Sequence, residues 1–549
     1  MFRYCDANGI RIEILHRFER HVATTLQVRS MSNEILTEET GFFDFRWQFR
    51  NVMTLTLFAP VFGLLIFCND ERFLRRVRLA CTFQKTICRG KKLTIENTCN
   101  RPAVEYQPVE LFLRSYYNIP KAFGSFRESF MRHKNKFGIS FSVLPFGPSR
   151  HLLLVGEPVE HYTCQNDFQG QGQTVPDYPR QIQSLLEHCR AVCEGEEFTQ
   201  NVAVMCQFFL ADIGMQELVR QLASEIFPQI LGAVTFVPQA PASGAVIALE
   251  LWAVSGCRTA IPSVICETPL PGQVTTVEFE EMRWFFGGGF RPESCPIGAY
   301  SRSLSAFECL GKLLKKHRFR LDQVLRTWIY QGHLVLPEGA TQRYKELNRA
   351  RTNFFGETAF LKKYLPPTYQ GTVFPASTGI GANDADVVLS ALALDTRRKD
   401  VIAVPLENPQ QTSAFDYCAE YSPQSPKFSR AMAVAVGDEC LIFVSGTASI
   451  TDSESRYHED PAQQTEQTLD NIAVLIEGEN LARHGIPNIA CGLSNLECVR
   501  VYVKRPSELV LIRQVCERRL PEVPTIYTVA DVCRPELLVE IEGIAFARR

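Results

Sequence analysis

The sequence has no surplus of either charge. Its 58 Lys and Arg face 60 Asp and Glu over 549 residues, a formal net charge of −2. Proteins that track nucleic acid carry a basic stripe or patch, so no nucleic-acid partner is expected. Cysteine is frequent at 19 residues, yet it forms no C-x-x-C pair and no paired Cys/His spacing, which leaves a metal site without support. Scattered thiols without a signal-peptide pattern read as reduced and largely buried, in a cytoplasmic protein. No apolar run reaches the roughly 20 residues that span a bilayer. The longest, from Met53 to Cys68, is broken by Pro60 and Gly63, and stable membrane association is not expected. It lies in a 1–135 extension expected to be partly disordered, in which Phe73 to Leu93 reads as basic without a clean period of helix or strand. G-x-S-x-G, Walker and H-E-x-x-H motifs are missing too. QGQGQ (169–173) and FGGGF (286–290) read as glycine loops without a phosphate-binding continuation, and His458 reads as a loop histidine. No cofactor is implied.

What the sequence does have is internal repetition, with one order of elements occurring three times: helix, strand, helix, strand, strand. The first copy runs 182–192, 202–213, 215–227, 233–240 and 245–254. The second runs 304–317, 324–332, 341–355, 371–381 and 385–394, and the third 465–478, 496–505, 507–520, 525–532 and 536–546. β-branched and aromatic runs carry the strands, and i, i+3, i+4 stripes such as Leu509, Ile512, Val515 and Cys516 carry the helices. The fold class is therefore α+β, with domains at 136–258, 276–405 and 406–549. The interval from Arg302 to Arg326 is much shorter than that from Arg430 to Arg500, which predicts that the second copy has lost an early hairpin.

FVSGTASI (443–450), AQQTEQTLDNI (462–472), VRVYVKRPSEL (499–509) and LVEIEGIAFARR (538–549) resemble the Rid (YjgF) family. Those proteins are trimers of a chorismate-mutase-like domain (the bacillus type) with pockets between subunits. The resemblance implies an intrachain pseudo-trimer, for which a monomer suffices. A second likeness, over about 285–549, is to the chorismatases. It rests on RTWIYQ (326–331), RYKELNRARTNFF (343–355), FPASTGIG (374–381), ENPQQTSAF (407–415), YSPQSPKFSRA (421–431) and ADVCRPELLVEIEG (530–543). It implies an enzyme that converts the small molecule chorismate to 3-hydroxybenzoate and pyruvate.

Carried over by position, Glu540 is similar to the family's catalytic glutamate, and Arg513 to an arginine that holds a substrate carboxylate. Gly446 and Cys533 fall where the ring pocket is lined, in the combination that goes with the 3-hydroxybenzoate branch. Arg430, Gln411 and Ala448 complete the implied substrate contacts. Gln410 and Gln424 depart from the pattern, standing where a basic residue is expected. The residues add their own argument. On its own a strand glutamate reads first as a solvated residue or an arginine's partner; among Leu537, Val539 and Ile541 desolvation would raise its pKa and suit a proton donor, and the resemblance favours that reading. Gly543 is expected to bend this last strand. Amides around Ser445, Gly446 and Thr447 are expected to serve developing charge. Aligning the final strands puts Ala248 and Ser390 at the place of Glu540 and Glu250 at that of Glu542, so one active site per chain is expected. Two other readings stand beside this one, a Rid-type imine deaminase and a non-catalytic binding scaffold. The deaminase lacks its arginine after the proline of Pro524-Thr525-Ile526-Tyr527.

Overall fold

The computed structural model describes residues 138–549 except 148, 159–162, 167–172, 199–202, 257–262, 268–271, 295, 385 and 419–423, and ahead of 138 it describes strand segments alone, from Phe2–Cys5 to Arg132–Lys134. In the extension at 1–135 the run from Met53 to Cys68 falls on two antiparallel strands, Val52–Phe58 and Gly63–Asn69, while 59–62 lie outside the described residues. The chain divides into two units, Met1–Glu128 and Ser129–Arg549, and all that follows concerns the second. No helix among the described residues is long and apolar enough to cross a membrane.

The first repeat contains β1 (Ile139–Phe146), β2 (Ser149–Gly156), α1 (Tyr178–Gly195), β3 (Ala203–Leu210), α2 (Gln216–Ile226), β4 (Ala233–Val237) and β5 (Ile247–Gly256). The second contains β6 (Ser263–Glu267), β7 (Gln273–Phe279), β8 (Met282–Phe290), α3 (Ala299–Lys316), β9 (Val324–Gly332), α4 (Arg343–Phe355), β10 (Ala376–Ala382) and β11 (Val387–Thr396). In the third are β12 (Val401–Leu406), β13 (Ala431–Val436), β14 (Glu439–Ala448), α5 (Pro461–Ile476), β15 (Leu496–Val503), α6 (Leu509–Arg519), β16 (Thr525–Val529) and β17 (Val539–Arg548). In the first sheet an edge strand at Arg132–Lys134 precedes the order β1-β2-β5-β3-β4; the order is β6-β7-β8-β11-β9-β10 in the second and β12-β13-β14-β17-β15-β16 in the third. The topology is thus repeated three times, and the predicted helices and strands are all present. The second sheet begins at Ser263 and the third at Val401, both ahead of the expected boundaries at 276 and 406.

Local chemistry explains the helix starts. Asp177 accepts from the Arg180 amide and Asp460 from the Gln463 amide, each with proline in the first turn. Such a cap satisfies an amide the helix leaves unpaired, and proline costs no hydrogen bond there. One face of each helix then covers its sheet: Ile182, Leu185, Leu186 and Cys189 in α1, Leu469, Ile472 and Ile476 in α5. The inner faces of the three sheets meet one another. Trp252 of the first repeat packs 5.3 Å from Phe286 of the second and 6.0 Å from Phe443 of the third, ring centre to ring centre.

Three expectations are corrected. The second repeat keeps its early hairpin: β7 and β8 pair from Gln273↔Gly288 to Phe279↔Met282. Glu280 and Glu281 turn it with φ of 42° and 64°, the conformation a tight hairpin needs. Arg302 lies on α3 beyond this hairpin, so it is no counterpart of Arg430. FGGGF belongs to β8 and is not a loop; its glycines bring the strand against the first repeat, where a Cβ on Gly288 would lie 2.8 Å from the Ala233 carbonyl oxygen. Finally, β3 pairs Phe209 with Ala248, β9 pairs Tyr330 with Val388 and β15 pairs Tyr502 with Glu540. Val388, not Ser390, stands at the place of Glu540, and Ser390 is the counterpart of Glu542. An apolar strand slipped by two residues keeps its alternation, so the sequence does not mark this register.

Candidate active site

Strand β17 sorts its side chains by strict alternation. Val539, Ile541, Ala545 and Ala547 join the core under the helices, while Ile544 and Phe546 join the core between the sheets. Glu540 and Glu542 share the inward face with those two residues. Pairing with β15 runs through Gly543 without a shift, so this glycine does not bend the strand. The irregularity is in the neighbour: β14 pairs Val444 with Gly543 and then Thr447 with Ile541, a bulge that contains Ser445 and Gly446.

The bulge makes room for the carboxyl. A Cβ on Gly446 would fall 2.0 Å from Glu540 Oε1 and 3.0 Å from Thr378 Cγ2. Only glycine admits Glu540 in this position. The amides expected to serve developing charge are already used, however. Gly446 N–H donates to Thr378 Oγ1 at 2.9 Å and Ser445 N–H to the Arg430 carbonyl at 2.9 Å.

The two inward carboxyls differ in their partners. Glu542 accepts from Arg500 Nη1 and the Tyr502 hydroxyl, both at 2.6 Å, and from Arg326 and Thr378. Burial alone would push it up, but these cations and donors outweigh burial and hold it below the usual carboxylate range. Glu540 has no hydrogen-bond partner of this kind among the described residues. Burial first, and the charge of Glu542 second, push its carboxyl up to about 8, against the opposing pull of Arg326 and Arg430. It is therefore a neutral acid at pH 7.

Glu540 opens into a cavity of about 520 Å³ between the second and third repeats. From the second come Tyr344, Lys345 and Arg351 on α4 and Ser377 and Gly379 on β10; from the third come Arg430, Gly446, Ala448, Cys533 and Arg534. Arg351 and Arg430 are buried. Arg351 donates to Asn348 Oδ1 at 2.6 Å, Arg430 to the Tyr417 hydroxyl at 2.6 Å and the Thr412 carbonyl at 3.0 Å. In each the Nε–H has no acceptor among the described residues. Both guanidiniums form part of the cavity wall, so two cations stand beside the one space into which Glu540 opens. Burial and the nearby Glu540 push the Cys533 thiol up to about 12, so it lines the wall as neutral S–H and not as a nucleophile.

The structure thus brings Glu540, Gly446, Cys533, Arg430 and Ala448 to one cavity. It does not bring Arg513 there. The apolar stripe Ile512, Val515 and Cys516 fixes the rotation of α6, and the Arg513 guanidinium lies over the Tyr527 ring, 4.8 Å from its centre. Gln411 is one step removed: its Nε2 donates to the carbonyl of Ile450, which lines the cavity. Tyr344, Lys345, Arg351 and Arg534 were not anticipated. For Arg351 a signal existed, since Leu347, Arg351 and Phe355 form an i, i+4 stripe with an arginine in its apolar middle.

No family model matches the chain. The chain is similar to a 3-hydroxybenzoate synthase of Streptomyces hygroscopicus, 32% identical over 270 residues that make up 48% of this chain and 73% of that protein. It is also similar to a chorismatase of Streptomyces rapamycinicus, 38% identical over 270 residues, 48% of this chain and 74% of the relative. A crystal structure of a chorismatase matches 63% of this chain and 94% of its own, at 22% identity and a TM-score of 0.49. The YjgF gene product from E. coli matches 26% of this chain with 96% of its own length, at 18% identity and a TM-score of 0.19.

Proposed function

This chain belongs to the chorismatase family, and from that premise we propose that it converts chorismate to 3-hydroxybenzoate and pyruvate. The observation that carries the proposal is a carboxyl held neutral by burial, Glu540, in a cavity walled by two buried guanidiniums, Arg351 and Arg430. Chorismate carries two carboxylates and an enolpyruvyl ether. Arg351 and Arg430 are placed to take the anions. Glu540 gives its proton to the enolpyruvyl methylene, which becomes the pyruvate methyl group; the ether bond to the ring then breaks, the neighbouring ring hydroxyl oxygen moves onto the carbon the ether leaves, and the ring proton lost on aromatisation restores the acid. The atoms of chorismate divide between the two products without added water. A positioned acid of this kind contributes typically about 10²–10⁴-fold. The free state of the ten described cysteines fits a reducing, cytoplasmic setting.

Incubation of the full chain with chorismate, with pyruvate followed enzymatically and the ring product identified by mass spectrometry, tests the proposal. Pyruvate and 3-hydroxybenzoate should appear in equal amounts, and folded protein that releases neither refutes it. Because the acid form of Glu540 is lost as pH rises through about 8, turnover should fall on the alkaline side of that value. Gly446→Ala should fold, since the methyl displaces only the end of a flexible side chain, and yet misplace the carboxyl. A displacement of that order is expected to lower kcat by about 10²-fold or to change the ratio of ring products. Unchanged rate and products would show that the close contact does not matter.

A further inference from the structure

The three repeats meet at a chain of buried charges that reaches Glu540 from behind. Glu250, on β5 of the first repeat, holds Arg500 with both oxygens, accepting from its Nε and Nη2 at 2.6 Å each. Arg500 gives its Nη1 to Glu542 at 2.6 Å and to the Tyr330 hydroxyl of the second repeat at 2.8 Å. Glu542 is also bound by Arg326, whose Nη2 donates to Thr378 Oγ1 at 2.6 Å. Thr378 accepts the amide of Gly446, the residue against which Glu540 lies. The charges of Glu250, Glu542, Arg326 and Arg500 sum to zero. The first repeat supplies one of them, although none of its residues lines the cavity.

We propose that Glu250 is a positioning residue for the proton donor: by balancing Arg500 it keeps the buried cluster beside Glu540 free of net positive charge, so the first repeat sets the protonation of a site it does not touch. This rests on the reading of Glu540 as the proton donor. Without Glu250, Arg500 would have Glu542 as its one carboxylate and the cluster would carry a net positive charge. In a core that excludes water, that charge favours ionisation of Glu540. The groups that face Glu540 directly are Glu542 on its own strand, Arg326 on β9, Arg430 ahead of β13, Cys533 ahead of β17 and Tyr344 on α4. Across the cavity stand Lys345, Arg351, Arg534 and Glu536. None of these is altered by a change at Glu250, so a shift would report the network.

The test is an infrared titration of the full chain without chorismate. The carbonyl stretch of the protonated Glu540 carboxyl is assigned by its loss in Glu540→Gln and followed against pH. In Glu250→Gln the midpoint should fall by about one pH unit. In Arg500→Met it should rise, and in the charge-balanced double variant it should return towards the wild-type value. The alkaline limb of pyruvate release should move with the midpoint. An unshifted midpoint in folded Glu250→Gln overturns the inference; if that variant does not fold, a midpoint in Arg500→Met that stays or falls overturns it. A merely structural role would lower Tm and leave the midpoint in place. Since the titration needs no substrate, it can fail while turnover stands, and a shifted midpoint without turnover counts against the proposed reaction alone.

Discussion

Glu540→Gln is expected to abolish pyruvate release and, above neutral pH, to make the protein more stable. The wild-type carboxyl titrates near 8 when folded, against 4.5 for its ordinary value. Between these values the folded state keeps a proton that the unfolded state has lost. Stability therefore falls as pH rises across this window, and the full penalty is present above about 8. Glutamine cannot ionise and escapes the penalty. The variant and the wild type should melt together near pH 4 and diverge on the alkaline side by on the order of 3–5 kcal/mol. Turnover should drop by at least about 10²–10⁴-fold at every pH. Thermal melts at pH 4, 7 and 9 with parallel pyruvate assays check both halves. If the melts stay superimposed at alkaline pH, the carboxyl is not held neutral by the fold.

Two residues along the same strand, the same substitution should do the reverse. Glu542 is ionised and lies between Arg326 and Arg500, with all three side chains buried. Replacing it with Gln leaves two guanidiniums facing each other, with Glu250 as the remaining carboxylate of the cluster. Removal of one member of a buried ion network typically costs about 3–5 kcal/mol, because the charges left behind cannot return to water. Glu542→Gln should therefore unfold in denaturant well before the wild type, or fail to accumulate as folded protein. Equilibrium urea unfolding measures it, and a midpoint equal to the wild-type value would show that Arg326 and Arg500 find other partners. Glu540 and Glu542 share a strand face and differ in their neighbours, and the neighbours decide which one stores a proton and which one holds the repeats together.

Much of this was legible in the sequence because periodicity reports which face is buried. The helix expected at 182–192 is the middle of α1, and the strand expected at 324–332 is β9. Glu540, Gly446, Cys533, Arg430 and Ala448 came from an ordered set of motifs and meet in one cavity. What escaped was whatever depends on contacts between repeats. Three consecutive glycines look like a loop until another backbone is seen passing over Gly288. Arg351 and Arg513 both sit on helices and look alike in a sequence. Asn348, Ser377 and the cavity surround the first, while the second rests on an aromatic ring at the outer side of its sheet. The register of β11 was invisible for a similar reason, since Ser390, a polar residue on its inward face, suits the place of Glu540 as well as that of Glu542.

The cavity takes one wall from α4 and β10 and the other from β14 and β17, and all four belong to one polypeptide. A pocket between separate subunits exists only to the extent that the subunits are associated, so it empties on dilution. Here the connecting chain keeps the two walls at a fixed effective concentration, whatever the amount of protein in solution. Assembly of the site is consequently a first-order event, and protein concentration does not enter its equilibrium. The same tether frees each repeat from symmetry: Ala248, Val388 and Glu540 occupy equivalent places, and a change at one need not be repeated in the others.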